Sequence, residues 1–570
     1  MTLVRRSRLP AAFRTLLEHR NWAALWVVGA WLLLGPLGQV CIAQAPQPVP
    51  KANSLGPLRI SPTNSRYFMD PQGHTVYLAG SHTWNNLVDI GSAYPPKPFD
   101  YAAYLDYLQA QGHNVFRLWA WEIPWRHDRH YDPGGYSAAP QPWLRTGPGL
   151  DFGGQPRFDL TRLNPEYFHR LRARVQAARE RHIYVIVMLF EAHMAQITPT
   201  RTSHPFFATN NINQMEFLTD VEDIYTLKYP RVTELQQQYV RAVVDSVNDL
   251  DNVLFEVANE GGPYSVEWQR AMLRYVRTYE AGKPFQHPVG LTFPNRGENA
   301  AMLASDADWI SPGTDSGHYA TAPEPASGSK VILADTDHLG GASFDDALWP
   351  WHSLFRGLNV LYMDNYVGPD SVGFKPTRAA VEIRTAIGMA RLLADSVDLV
   401  HFVPKGELAS TGYCLTGDAA VLVFTPDAKP FSLDLRGLAG AAPHGWQGEW
   451  LETASGRVAA GDTIHASEMV MLESPFPEGA VLYLRASGSA LPTLIRISGR
   501  AMAVHEAAHA LAPWSLRWEL SLIPFLRPVA ASYVELTLAL AVAFLVGALA
   551  VGVICLLVLR GIRQKRQLDT

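Results

Sequence analysis

Cysteine is nearly absent: the 570 residues hold three, Cys41, Cys414 and Cys555, and the first and last lie in apolar end segments. No intrachain disulfide framework is available to the middle of the chain, so its core must be large enough to stand alone. Few cysteines suit a periplasm or cell surface, where free thiols are oxidised, without excluding the cytosol. An excess of positive charge is also missing. With 48 Lys+Arg against 53 Asp+Glu the net charge is -5, which gives no broad positive field for a phosphate backbone and argues against a nucleic-acid partner. Internal repeats and low-complexity tracts are lacking too, and a chain that is 48% hydrophobic and 18% charged is neither disordered nor collagen-like.

What is present begins at the ends. Arg5, Arg6, Arg8, Arg14 and Arg20 precede the uncharged run 22–42, which reads as a signal peptide or signal anchor over 1–45, with cleavage after Ala43 or Ala45. Near the other end 536–559 is uncharged and is followed by Arg560, Arg563, Lys565 and Arg566. At about 1.5 Å per residue this run exceeds the roughly 30 Å of membrane hydrocarbon. The expectation is a transmembrane helix at 534–559 with a basic cytoplasmic tail at 560–570. Residues 51–530 would then lie outside the cytoplasm, tethered to a lipid bilayer through that C-terminal helix.

Between the ends, short β-branched or aromatic runs alternate with amphipathic stretches, the pattern of a parallel α/β fold. Strands are predicted at 75–78, 115–119, 184–189, 253–257, 289–292, 308–310, 331–334 and 360–363, and helices at 101–111, 165–181, 232–250, 266–280 and 378–393. Eight strands with crossover helices predict a (β/α)8 TIM barrel over 51–397, with a long insertion at 122–163 after strand two. From 398 the helical period disappears, and turn-divided alternating runs predict a small β-sandwich to 488, followed by a connector at 489–533. Barrel active sites sit at the C-terminal ends of the strands. Here those ends carry His82, Trp84, Arg117, Trp121, Glu191, His193, Asn259, Glu260, His318, Tyr319, Asp335, Asp337, His338 and Asp364. A purely structural rim would use Gly, Asn and Pro instead.

The segment Phe255-Glu256-Val257-Ala258-Asn259-Glu260 resembles the Asn-Glu end of strand four in the clan of retaining (β/α)8 glycoside hydrolases that includes the family 5 cellulases. The resemblance implies that Glu260 is the general acid/base and that Asn259 binds the sugar 2-hydroxyl. It also implies site positions for Arg117, for His318-Tyr319 and for a carboxylate ending strand seven. The wider stretch 67–364, with Gly80-Ser81-His82-Thr83-Trp84, Asn259-Glu260-Gly261-Gly262-Pro263-Tyr264 and Asp335-Thr336-Asp337-His338, is similar to uncharacterised cellulase-like bacterial proteins. Their C-terminal sandwich often bears the label of a collagen-binding domain, and Gly445-Trp446-Gln447-Gly448-Glu449-Trp450 is similar to its tryptophan turn. One departure matters. The clan ends strand seven in Glu, whereas this chain has Asp335 with Asp337 two residues on, a side chain shorter by one methylene. Carboxylate separation decides between retention and inversion, so retention is not carried over.

The expectation is an enzyme hydrolysing O-glycosidic bonds in a polysaccharide or oligosaccharide, with Glu260 as acid and Asp335 or Asp337 as its partner. His82, Trp84, Arg117, Trp121, Glu191, His193, Asn259, Tyr264, His318, Tyr319, His338 and Asp364 are expected to bind substrate. No close ligand spacing joins the four histidines, so neither metal nor other cofactor is expected. Trp84, Trp119, Trp121, Trp125 and Trp143 crowd the first two strand ends, where a sugar's apolar face could stack, with core packing as the alternative use. The change from Glu to Asp leaves open a non-catalytic glycan-binding surface protein. A third reading is a zinc protease, from the H-E-x-x-H run His505-Glu506-Ala507-Ala508-His509, which lacks an evident third ligand and a domain to hold it.

Overall fold

The computed structural model describes residues 56–494, except 129–131, 198–199, 314–324, 340–345, 364–377 and 466–468, together with Gly499. The signal segment, most of the connector, the span at 534–559, the basic tail and the His505–His509 run lie outside the described residues. Among the described residues no helix is long and apolar enough to cross a membrane.

Eight parallel strands close into a barrel: β1 Ala79–His82, β2 Val115–Leu118, β3 Tyr184–Phe190, β4 Val253–Ala258, β5 Val289–Thr292, β6 Trp309–Ser311, β7 Val331–Asp335 and β8 Asn359–Met363. Closure is made by β8 pairing with β1 and β1 with β2. Helices cover the outside, so the strands are buried on both faces, and β3 and β4 read as nearly continuous apolar runs. Around them lie α1 Tyr101–Ala110, α2 Pro165–Arg179, α3 Pro230–Val247, α4 Val266–Glu280 and α5 Arg378–Val397. Local chemistry sets their starts. The Asp100 carboxylate accepts from the Ala103 N–H, and the Asn164 side chain accepts from the Glu166 N–H just before a proline in the first turn. On α4, Trp268, Met272, Leu273 and Val276 recur at helical spacing and form its buried face.

The first strand differs from expectation. Of residues 75–78 only Leu78 reaches the barrel, its carbonyl accepting from the Val360 N–H; Thr75–Val76 instead closes a three-stranded antiparallel sheet with Phe68–Met69 and Arg59–Ile60. The barrel strand is the next segment, Ala79–His82, whose Gly, Ser and His look unlike a strand because its end is committed to the site. The insertion after β2 folds as antiparallel strands: Trp125–Asp128 and Asp132–Ala139 pair beside Asp89–Gly91, and Trp143–Leu150 pairs with Pro156–Leu163. A second long excursion, 191–229 after β3, carries three short 3-10 turns, Met194–Gln196, Thr200–Ser203 and Glu222–Tyr225, joined by irregular chain.

Beyond α5 the chain forms β9 Val403–Pro404, β10 Cys414–Thr416, β11 Ala420–Asp427, β12 Phe431–Asp434, β13 Trp446–Glu452, β14 Val458–Ile464, β15 Met469–Leu472 and β16 Glu478–Ala486. Six strands make one sheet in the order β9-β10-β11-β16-β13-β14, and β12 pairs with β15 in a second. Val421, Val423, Leu482 and Leu484 pack with Phe431 and Leu433 between the two sheets. The other face of the large sheet, with Leu422, Phe424, Val481 and Tyr483, belongs to the barrel's own core. Phe424 lies 6.3 Å from Trp351 and 5.7 Å from Phe355, ring centre to ring centre. The large sheet is therefore apolar on both faces, which is why Ala420-Val421-Leu422-Val423-Phe424 shows no polar alternation.

Candidate active site

The C-terminal mouth of the barrel is organised around one cation. Arg117 on β2 is 1% exposed and points into the barrel. Its Nε and Nη2 donate to the two oxygens of Glu256 at 2.7 and 2.6 Å, a bidentate pair. Nη1 donates to Asp335 Oδ2 at 3.2 Å and to Asp337 Oδ2 at 2.8 Å, and Nη2 also reaches Asn259 Oδ1 at 2.7 Å. Burial pulls the guanidinium down, but Glu256, Asp335 and Asp337 outweigh it and hold Arg117 well above its ordinary value. Glu256 was not anticipated. The signal for it is a lone carboxylate inside the apolar run of β4, four residues before Glu260.

Arg117 can only donate, so its bond to Asn259 Oδ1 settles that amide's orientation. The Asn259 Nδ2 then donates to Glu191 at 3.0 and 3.3 Å. His338 also donates to Asn259 Oδ1, from Nε2 at 3.2 Å, which leaves its Nδ1 to accept from Ser311 Oγ at 2.7 Å. Burial first, and Arg117 next, push His338 down to about 4, so it is a neutral donor. Glu191 is fully buried at the end of β3. Its backbone N–H donates to both oxygens of Glu122 at 2.8 and 2.9 Å, and Tyr225 Oη donates to Glu122 Oε1 at 3.1 Å. Burial raises both carboxyls, Glu122 to about 7 and Glu191 well above the usual range, the latter helped by the charges of Glu122 and Asp337. Glu122, the first residue of the insertion, was also missed as a site residue.

Asp335 ends β7 and has no exposed surface. It accepts from His82 Nε2 at 3.0 Å, from Arg117 and from the Asp337 N–H at 3.0 Å. Burial alone would raise its carboxyl, yet His82, Arg117 and His338 hold it well below the ordinary carboxylate range. Asp337 opens the short helix Thr336–Leu339 and keeps 10% of its side chain exposed.

Glu260 follows β4 with φ +41, a left-handed conformation that non-glycine residues rarely hold. The next residues make that turn possible: a Cβ on Gly262 would come within 2.3 Å of the Tyr264 ring, so the chain can pass Tyr264 this closely only as glycine. The Glu260 side chain is 15% exposed, and its Oε2 lies 3.3 Å from His193 Nδ1, which Asn295 Nδ2 also approaches at 3.2 Å. Burial first, then the charges of Asp337 and Glu191, raise the Glu260 carboxyl well above its ordinary value despite Arg117. The same mouth thus holds one carboxyl raised by its surroundings, Glu260, and one held low by its donors, Asp335.

The aromatic residues behave differently from expectation. His82 stacks on Trp119, Trp119 stacks on Trp121, and Trp84 meets both indoles edge-on. Trp121 is 1% exposed, with its Nε1 donating to the Trp84 carbonyl, and Trp143 is equally buried. These rings brace the site from behind rather than presenting a face to sugar. Trp125 alone of the five is partly open. His318, Tyr319 and Asp364 lie outside the described residues. Asp335, Asp337 and His338 offer ligand atoms within 4.8 Å of one another, a spacing that could hold a metal ion. Arg117 already bridges the two carboxylates, and both His338 nitrogens are engaged, so the trio is a hydrogen-bonded cluster built around a guanidinium.

Comparison with solved structures places the architecture. A structure described as a glycoside hydrolase superposes with a TM-score of 0.51 at 11% identity, covering 76% of this chain and 98% of its own. A family 5 glycoside hydrolase from Bacteroides vulgatus ATCC 8482 gives 0.52 at 12% identity, covering 77% and 97%. The fold is that of family 5-like glycoside hydrolases. In sequence, residues 127–306 match a domain of unknown function, DUF6298. No curated protein matches the chain.

Proposed function

We propose that the protein is a glycoside hydrolase in which Glu260 protonates the departing glycosidic oxygen and Asp337 is the partner carboxylate. The observation that carries this reading is the contrast among the three acids. Glu260 is held proton-bearing at the opening, Asp335 is buried and saturated by donors, and Asp337 keeps exposed surface and is the charge acting most strongly on Glu260. Asp335 then positions Arg117 and His82, while Asp337 faces the anomeric carbon, directly or through the water that enters the product. Asn259, locked between Arg117, His338 and Glu191, presents its amide edge to the sugar. The glycoside hydrolase fold supports a carbohydrate substrate. The uncharged run 536–559 with its basic flank supports a membrane tether that leaves the barrel outside the cytoplasm.

The test is Glu260→Gln assayed on a panel of aryl glycosides and soluble polysaccharides. Hydrolysis should fall by about 10²–10⁴-fold, most for poor leaving groups, with glycan binding kept. Undiminished turnover would remove Glu260 from the chemistry.

A further inference from the structure

Where the two insertions meet, Leu150, Phe152, Arg157, Thr202, Phe207 and Thr209 line an open hollow of ≈ 580 Å³. That volume falls among those of small-ligand sites, about 300–1,000 Å³. Phe152 is 50% exposed and Leu150 63%, an unusual use of large apolar side chains on an ordered turn. The turn is tightly held. Asp151 and Gln155 pair through their backbones, the Asp151 carboxylate accepts from the Gln155 N–H and from Arg145, and Gly154 takes φ +76, where a side chain would be strained. Across the hollow, the Phe152 N–H donates to Asn210 Oδ1 of the other insertion at 2.9 Å. The phenyl ring is thus presented to solvent by a rigid mount.

The hollow is tied to the catalytic mouth through the two insertions that line it. The Phe152 ring lies 5.3 Å from that of Trp125, whose carbonyl accepts from Ser203 Oγ, and Trp125 stands three residues beyond Glu122. Glu122 bonds Glu191, which bonds Asn259. The insertion after β2 therefore supplies both a carboxylate of the acid cluster, Glu122, and the exposed Phe152, and the excursion after β3 borders both.

We propose that this hollow is a distal glycan subsite that takes pyranose units of the polysaccharide beyond the bond being cleaved. Phe152 lies against the apolar C–H face of a ring, and Thr202, Thr209 and Arg157 bond its hydroxyls. The proposal rests on the glycosidase reading, and it assigns the insertions a role in selecting long chains over short ones.

The full chain carrying Glu260→Gln, alone and with Phe152→Ala, is run in native gels containing barley β-glucan, xylan or galactomannan. Wild type and Phe152→Ala are assayed on aryl glycosides. The Glu260→Gln protein should be retarded by at least one polymer, and adding Phe152→Ala should weaken that binding about tenfold, equivalent to about 1.4 kcal/mol. Aryl-glycoside kcat/KM should be unchanged by Phe152→Ala. Equal retardation of the single and double variants overturns the subsite, as does a fall in aryl-glycoside turnover, which would move Phe152 to the reaction centre. Aryl-glycoside hydrolysis without polymer retardation sinks the subsite alone. Neither hydrolysis nor retardation sinks the glycosidase reading with it.

Discussion

His82 donates its Nε2–H to Asp335 Oδ1 across 3.0 Å, and neither side chain is more than 1% exposed. The tautomer follows from the opposite side of the ring. Trp119 Nε1 lies 2.8 Å from His82 Nδ1, and an indole N–H can only donate, so Nδ1 accepts and Nε2 carries the proton. His82 and Arg117 together hold a buried aspartate in its charged form. In the same mouth the Glu260 carboxyl, beside His193, is pushed up by burial and by the charges of Asp337 and Glu191. Two acids are thus driven apart by their surroundings, one by its donors and one by burial and neighbouring negative charge.

His82→Ala should destabilise the fold by about 1.5–3 kcal/mol, the worth of a hydrogen bond to a charged group. The Asp335 carboxyl is lowered on folding, so the stabilisation it provides is present above the unfolded value of about 3.9 and is lost as pH falls through the folded one. Urea unfolding should therefore show the full deficit of the variant near neutrality and a smaller one in acid. A variant as stable as wild type at pH 7 would mean that His82 does not support Asp335.

Asp337→Asn should lower hydrolysis by about 10²–10⁴-fold and destabilise the fold less than Asp335→Asn, because its side chain keeps 10% exposure and an amide oxygen can still accept from Arg117. Asp335→Asn replaces one accepting oxygen by an NH2 that must face either Arg117 or the pair His82 and the Asp337 N–H, and it removes the charge that Arg117 pairs with in the interior. Breaking a buried pair of this kind costs about 3–5 kcal/mol. Paired melting curves and initial rates separate the roles. If Asp335→Asn folds normally without activity while Asp337→Asn remains active, the partner is Asp335.

Much of this was legible. The alternation of runs reveals the barrel because buried parallel strands must be apolar, and Asn259-Glu260-Gly261-Gly262 marks where β4 breaks into the site. Arg117 and His338 could be placed at strand ends, but not joined to Asn259, since spacing along a chain does not say which polar atoms meet. Glu256 stayed hidden because a carboxylate inside an apolar run resembles a misplaced surface residue until Arg117 is seen opposite. Trp84 and Trp121 were read as sugar platforms from their place near strand ends. Their burial depends on the insertion folding over them, which no local pattern encodes. The missed barrel strand, Ala79–His82, shows the same limit: function altered its composition enough to hide its structure.

Phe424→Ala should cost about 3–5 kcal/mol, the usual penalty for emptying a buried aromatic site. Its ring contacts Trp351, Phe355 and Tyr413, so the loss falls on the contact between the barrel and the large sheet. Calorimetry on wild type should show one cooperative transition for 56–494, because the two share a core. The variant should melt lower and broaden. An unaltered transition would mean that the sheet folds independently of the barrel.

Glu122 makes a prediction about pH that catalysis does not. Burial raises its carboxyl from an ordinary 4.5 to about 7, and the bonds from the Glu191 N–H and Tyr225 only partly offset this. The folded chain therefore keeps a proton that the unfolded chain releases between those values. The associated stabilisation is complete in acid and is lost as pH rises through about 7. At about 1.36 kcal/mol per unit, the loss across the window is on the order of 3 kcal/mol. Glu191, raised by burial and by Glu122, adds a slope of the same sign. Glu122→Gln leaves an uncharged acceptor for the Glu191 N–H and removes one titration, so guanidinium midpoints measured from pH 5 to 8 should fall less steeply than in wild type. The two proteins should be closest in stability at the acid end, and the variant should be the more stable at pH 8. Parallel slopes would show that Glu122 is already ionised throughout and that the Glu191 N–H and Tyr225 suffice to hold its charge.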